Sequence, residues 1–167
     1  TVYIAKQKSL SNLKILYVLA VLNSKLMFWF FRNENNEFDV LFPKSKTKEF
    51  KSLPIKNISP EAQAPFIRLA DIMLSKNKEL QEIQKKFTKL LVSEFKLDKL
   101  SEKLENWYLL DWSEFAREVG KKKIVLSAVD EEKWLDRFER LQKEALAIKA
   151  VIDSTDKEID EMVYELY

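Results

Sequence analysis

The chain has 167 residues, 34% of them charged and 46% apolar, with a net charge of +2, a balance that fits one domain with a packed core and excludes global disorder and a bulk pull on polyanions. Cysteine and histidine are absent, which excludes disulfides, thiol chemistry and the usual zinc sites. A single glycine, Gly120, and four prolines leave little turn chemistry for sandwiches, barrels or a glycine-rich phosphate loop, so the composition points to long helices.

Val2–Ala5 reads as a short strand, and with no initiator methionine before it the chain reads as a fragment of a longer protein. Ser11 or Asn12 can cap a helix running to about Arg32, apolar nearly all round and therefore expected to be buried. Its longest apolar run, Ile15–Leu22, is eight residues, and Asn23-Ser24-Lys25 follows. A lysine there costs roughly 2.5–3.5 kcal/mol on membrane-insertion scales, so no membrane span is expected; the absence of cysteine is compatible with a reducing cytoplasm, the expected location.

After a polar turn at Asn33–Glu37, Phe38–Phe42 reads as a strand, Lys44–Lys48 alternates, and Phe50–Ile55 reads as an edge-like extended segment. Residues 40–60 hold five lysines against Glu49, whereas residues 150–167 hold six acids against Lys157, so one region suits a polyanion and the other does not. Lys44, Lys46 and Lys48, if extended, share one face and with Lys51 suit phosphate contacts; the alternative is an edge strand protected by lysines.

Ser59-Pro60-Glu61 is a helix start, and Pro65 falls within the first turns. From there Phe66, Leu69, Met73, Lys76, Leu80, Ile83, Phe87 and Leu90 form a heptad seam. Asp98–Glu118 holds shorter aromatic-rich helical pieces, which Gly120 is expected to end as a C-cap glycine. Lys121, Lys122 and Lys123 form a second basic spot. Ser127 and Asp130 make a capping-box pattern before the longest helix, whose seam is Trp134, Phe138, Leu141, Ala145, Ile148, Ile152, Thr155, Ile159, Met162 and Leu166. The expected fold is mainly α with a small β portion near the N-terminus. Phe66–Leu90 and Trp134–Leu166 are expected to pair as a long antiparallel two-helix coiled coil with a helical connector. Such helices also offer a surface for homodimerisation.

No nucleophile–base pair with histidine or cysteine can form, and no Ser-x-x-Lys motif sits in a pocket-like context. Asp39 with Glu49 and Lys51 matches a loose metal-nuclease pattern of carboxylates and a supporting lysine, but Glu94-Phe95-Lys96 and Glu131-Glu132-Lys133 match its Glu-x-Lys half equally well, so the pattern carries little information.

Several segments together resemble the C-terminal target-recognition region of type IIG restriction–modification enzymes and TaqI-like adenine-specific DNA methyltransferases. They are Leu19–Leu26 with its Leu-Asn-Ser-Lys, the basic Lys48–Ile55 ending in Leu-Pro-Ile, the Ser-Pro-Glu-x-Gln-x-Pro-Phe start at Ser59–Phe66, Trp112–Phe115, Glu132–Phe138, and the ending Asp153–Tyr167. Type I specificity subunits share that order. The resemblance implies that residues 1–58 are the end of a DNA target-recognition domain and 59–167 a helical spacer. It implies a parent enzyme that methylates adenine N6 with S-adenosylmethionine, with magnesium for any nuclease, its methyltransferase and main base-reading surface lying upstream. No Asn-Pro-Pro-Tyr motif occurs here, so no cofactor and no catalytic residue is expected in this segment. Its partner would be double-stranded DNA, through Lys44, Lys46, Lys48, Lys51 and Lys121–Lys123. The alternatives are a coiled-coil oligomerisation module without DNA contact, and a small metal-dependent nuclease built on Asp39, Glu49 and Lys51.

Overall fold

The computed structural model describes residues 12–34, 52–124 and 126–167. Within them lie six α-helices: α1 (Ile15–Asn23), α2 (Lys25–Glu34), α3 (Pro60–Phe95), α4 (Glu102–Glu105), α5 (Trp112–Gly120) and α6 (Ala128–Leu166); a 3-10 turn, Trp107–Leu109, separates α4 from α5. The protein is mainly helical, and no strand occurs among the described residues. The strands expected at Val2–Ala5, Phe38–Phe42 and Lys44–Lys48 lie outside the described residues. The described part of Phe50–Ile55 is a turn instead: the Ile55 N–H donates to the Leu53 carbonyl at 2.9 Å across Pro54, a three-residue closure that proline's fixed φ suits.

The single helix expected from Asn12 to Arg32 is two helices, bent by 69° at Ser24. Ser24 takes an extended backbone (φ −69°, ψ 152°), closing α1 and opening α2. Its buried hydroxyl donates to the Val21 carbonyl at 2.7 Å and accepts from the Met27 N–H at 3.3 Å, so one side chain satisfies a carbonyl of the first helix and an amide of the second. Neither helix is long and apolar enough to cross a membrane alone, and the pair meets that test only across this bend. Burial is also less complete than the composition implied, because Phe28 and Trp29 on α2 are exposed.

Helix α3 begins where its start signal stands. Ser59 Oγ accepts from the Ala62 N–H at 3.3 Å, Pro60 occupies the first position, and the helix runs unbroken through Pro65, whose missing N–H falls in the first turns. It ends with Lys96 at φ 50°, while the Leu97 N–H donates to the Val92 carbonyl at 3.2 Å, the bond of a Schellman ending with lysine in the glycine position. Gly120 does not serve as a left-handed cap. It is the last helical residue of α5 and has no positive φ; Lys123, with φ 63°, takes the left-handed position three residues later. Helix α5 opens on a reciprocal capping box: Asp111 accepts from the Glu114 N–H at 2.8 Å, and Glu114 accepts from the Asp111 N–H at 3.3 Å. Ser127 opens α6, its hydroxyl accepting from the Asp130 N–H at 3.2 Å and donating to the Asp130 carboxylate at 2.6 Å.

The chain divides into two compact units: Thr1–Leu74 with Asp153–Tyr167, and Ser75–Ile152. The core of the first is formed by Tyr17, Ala20, Val21 and Met27 from α1 and α2, Phe66, Leu69 and Ala70 from α3, and Ile159 and Val163 from α6. The second unit is built around rings. Phe87 is fully buried and meets Trp107, Phe115, Trp134 and Phe138. There α3 and α6 run antiparallel, since Phe87 faces Phe138 whereas Phe95, two turns further on, faces Trp134, one turn back. Gln142 donates to the carbonyls of Tyr108 and Leu110, at 3.1 and 2.6 Å, and so serves the backbone of the connector. The buried positions follow the expected seams with slips: Leu91 is buried where Leu90 was expected, Val163 where Met162 was, and Ile148 is half-buried.

Candidate nucleic-acid interface

Of the residues expected to meet DNA, Lys44, Lys46, Lys48 and Lys51 lie outside the described residues, as do Asp39 and Glu49. Lys121, Lys122 and Lys123 are described and exposed, in the turn after α5. Lys121 Nζ lies 2.7 Å from Glu118 Oε1, and this hydrogen bond holds the Glu118 carboxyl below its ordinary pKa. Lys122 and Lys123 are the more available cations of the three. Glu94, from the second Glu-x-Lys match, faces Arg137 at 3.7 Å. Among the described residues no group of three or more acidic side chains converges as a metal site.

The segments flanking the undescribed basic stretch are fixed by polar contacts that sequence reading missed. Gln63, fully buried, receives the Lys14 N–H on Oε1 at 2.8 Å, and its Nε2 donates to the carbonyls of Asn12 and Ile58 at 3.0 and 2.9 Å. One amide on the first turn of α3 therefore holds both the approach to α1 and the approach to α3. Asp160, on α6, accepts the Lys25 N–H at 2.8 Å and pairs with Lys25 Nζ at 2.7 Å. It places a carboxylate on the free amides of the α2 N-terminus, the favourable end of that helix dipole. The hydrogen bond and charge of Asp160 raise the pKa of the Lys25 ammonium.

A third contact set closes on Pro54–Lys56. The Tyr167 hydroxyl donates to the Pro54 carbonyl and accepts the Lys56 N–H at 2.9 Å. Lys56 Nζ donates at 2.6 Å to the Leu166 carbonyl at the end of α6, where a cation complements the helix. The Tyr17 hydroxyl donates to the Lys56 carbonyl at 2.7 Å. Burial, and then the neighbouring Tyr167, push the Tyr17 pKa up to about 12. The sequence offered one signal for these contacts: the glutamine inside the Ser-Pro-Glu-x-Gln-x-Pro-Phe segment, a polar residue among positions that turn inward.

Two clefts accompany this framework. In the first unit a cleft of about 540 Å³ is lined by Lys25, Leu26, Trp29, Lys157, Asp160, Glu161 and Tyr164. In the second, one of about 420 Å³ is lined by Gln81, Gln84, Lys85, Thr88, Leu100, Glu105 and Asn106, with Gln84 Nε2 donating to Asn106 Oδ1 at 3.3 Å. The first mixes aromatic rings with both charges; the second is amide-rich.

Comparison with known families divides the chain in two. Residues 1–55 match the family described as TaqI-like C-terminal specificity domain, and residues 59–163 match the family described as Domain of unknown function (DUF8810). No curated protein matches, and no solved structure does.

Proposed function

The chain belongs to the family described as Domain of unknown function (DUF8810), and from its adjoining TaqI-like region we propose that it is a DNA sequence-specificity segment of a restriction–modification enzyme. The observation that carries this reading is the match of residues 1–55 to a TaqI-like C-terminal specificity domain. The structure adds a physical reason to treat that region and the helices as one device. The helices α1 and α2 of the matched region share a core with α3 and α6; Asp160 holds the first amide of α2, Gln63 the approach to α1, and Tyr167 the Pro54–Lys56 turn.

In this reading residues 1–58 are the end of the recognition domain and 59–167 a spacer, with α3 and α6 as an antiparallel coiled coil. Lys44, Lys46, Lys48 and Lys51 contact phosphates, which set affinity and register but carry no base information. Lys122 and Lys123 make a secondary contact with Lys121 tethered to Glu118. Methyl transfer from S-adenosylmethionine, and any magnesium-dependent cleavage, belong to upstream domains of the parent enzyme.

The test is duplex binding by the enzyme that contains this chain, as wild type and with Lys44, Lys46 and Lys48 changed to alanine. Affinity should fall alike on cognate and scrambled duplexes, and the log–log salt slope should flatten by about 0.9 for each lost contact. Unchanged affinity and slope overturn the role of these lysines. An enzyme that binds no duplex at low salt overturns the DNA reading as a whole.

A further inference from the structure

A further basic surface lies on α3, made of residues outside both lysine groups that the sequence singled out. Lys78, Lys85 and Lys89 are spaced by seven and four residues, so they share one face of the helix. All three are exposed, and among the described residues none is held in an ion pair. The neighbouring acids of α3 on either side are engaged: Glu79 pairs with Lys76 at 2.7 Å and Glu94 with Arg137. Glu82 interrupts the row, and Lys86 flanks it. At about 1.5 Å per residue the row runs about 16 Å along the helix.

The second observation is the amide-rich cleft, which runs along the same helix and includes Lys85 among its lining residues. It offers the amides of Gln81, Gln84 and Asn106 and the Thr88 hydroxyl, groups that hydrogen-bond sugar oxygens. Glu105 at the cleft disfavours a phosphate inside it. The arrangement therefore fits a strand whose phosphates follow the lysines and whose sugar edge faces the amides.

We propose that the Lys78–Lys85–Lys89 face of α3, with the adjoining Gln81–Gln84–Thr88–Asn106 cleft, is a sequence-independent contact for a DNA sugar–phosphate backbone. This rests on the DNA-specificity reading and extends it into the helical region. It gives that region a grip on flanking duplex in addition to its spacer role.

The experiment measures binding of this 167-residue chain to a fluorescein-labelled random-sequence duplex over a range of salt. Four proteins are compared: wild type; Lys78→Gln with Lys85→Gln and Lys89→Gln; Lys133→Gln with Arg140→Gln and Lys143→Gln; and the alanine triple at Lys44, Lys46 and Lys48. The second and third lose equal charge from exposed positions of the same unit, so bulk electrostatics is matched. The α3 variant should lose about 2.7 from the log–log slope, three contacts at about 0.9 each, while the Lys133 triple keeps its slope. Gln84→Leu with Thr88→Val should weaken binding by about 3–10-fold without changing the slope.

Equal effects of the two glutamine triples, or none from the α3 triple, overturn the proposal. If the α3 triple is silent while the Lys44 triple loses binding, the inference fails and the specificity reading stands. If the α3 triple loses binding and the Lys44 triple does not, the inference holds and the role of Lys44–Lys48 falls. A chain that binds no duplex at low salt overturns the inference for this chain and leaves the parent enzyme's binding as the separate test of the specificity reading.

Discussion

The indole of Trp107 stacks on the ring of Phe87, with centroids 3.8 Å apart and planes inclined by 24°. The two residues come from different elements, a 3-10 turn and the long helix α3, and both are fully buried. Around Phe87, the rings of Phe115, Trp134 and Phe138 stand edge-on at 5.6–6.2 Å. Offset and edge-to-face pairs each add roughly 0.5–1.5 kcal/mol beyond the area they bury.

Phe87→Ala should therefore be among the most costly single changes in the second unit, at about 3–5 kcal/mol in urea unfolding. Leu90→Ala, one turn position away and only half-buried, should cost distinctly less. Equal losses at the two positions would show that Phe87 does not organise this core.

Gln63 gives a second comparison. Gln63→Ala strands the Lys14 amide and the carbonyls of Asn12 and Ile58, at a cost of about 1–3 kcal/mol. Gln63→Glu should be worse at neutral pH, because a buried carboxylate would face two carbonyl oxygens. Its carboxyl pKa would then lie above the unfolded value, so the variant should regain stability relative to wild type as pH falls. A Glu variant as stable as wild type at pH 7 would remove the amide from its structural role.

Tyr17 sets an alkaline limit. Its pKa is pushed up to about 12 from an ordinary 10.0, first by burial and then by Tyr167, so the folded chain holds this proton longer than the unfolded chain does. The contribution is complete below pH 10 and is lost between about 10 and 12. Tyr17→Phe, which lacks the proton, should show a smaller fall in stability over that window in denaturant titrations at successive pH values. An identical fall in both proteins would count against this assignment.

Two helix ends are open to improvement. Lys96 carries φ 50° in a position that glycine fills without strain, so Lys96→Gly should stabilise by about 1 kcal/mol. Gly120 sits in a helix with no positive φ and nothing within 4 Å of an added Cβ, so Gly120→Ala should stabilise by about 0.4–1 kcal/mol. Thermal unfolding by circular dichroism reads both; a lower midpoint in either variant contradicts the stated end geometry.

Local chemistry was legible in the sequence where the determinants lie within a turn or two of one another. Ser59-Pro60 and Ser127–Asp130 start helices where their side chains reach amides three residues on. The seams gave the buried faces of α3 and α6 for the same reason, but a strict heptad count drifts by about 20° per heptad against an ideal helix, so Leu91 and Val163 replace Leu90 and Met162. The capping box at Asp111–Glu114 is equally local, an acid three residues before a glutamate, and lies among aromatics that mask it as a helix start.

By itself, then, the sequence determined a mainly helical chain, its long helices, the inward face of each, and a resemblance that the match at residues 1–55 supports in its TaqI-like part. Tertiary structure decided the bend at Ser24, the turn at Leu53–Ile55 and the clamp on Lys56. It also decided that Lys123 rather than Gly120 takes the left-handed position. The reason is that backbone groups at helix ends and turns accept whichever partner arrives. Asp160 reaches the Lys25 amide across 135 residues and Tyr167 reaches Lys56 across 111, separations at which neither propensity nor periodicity carries information.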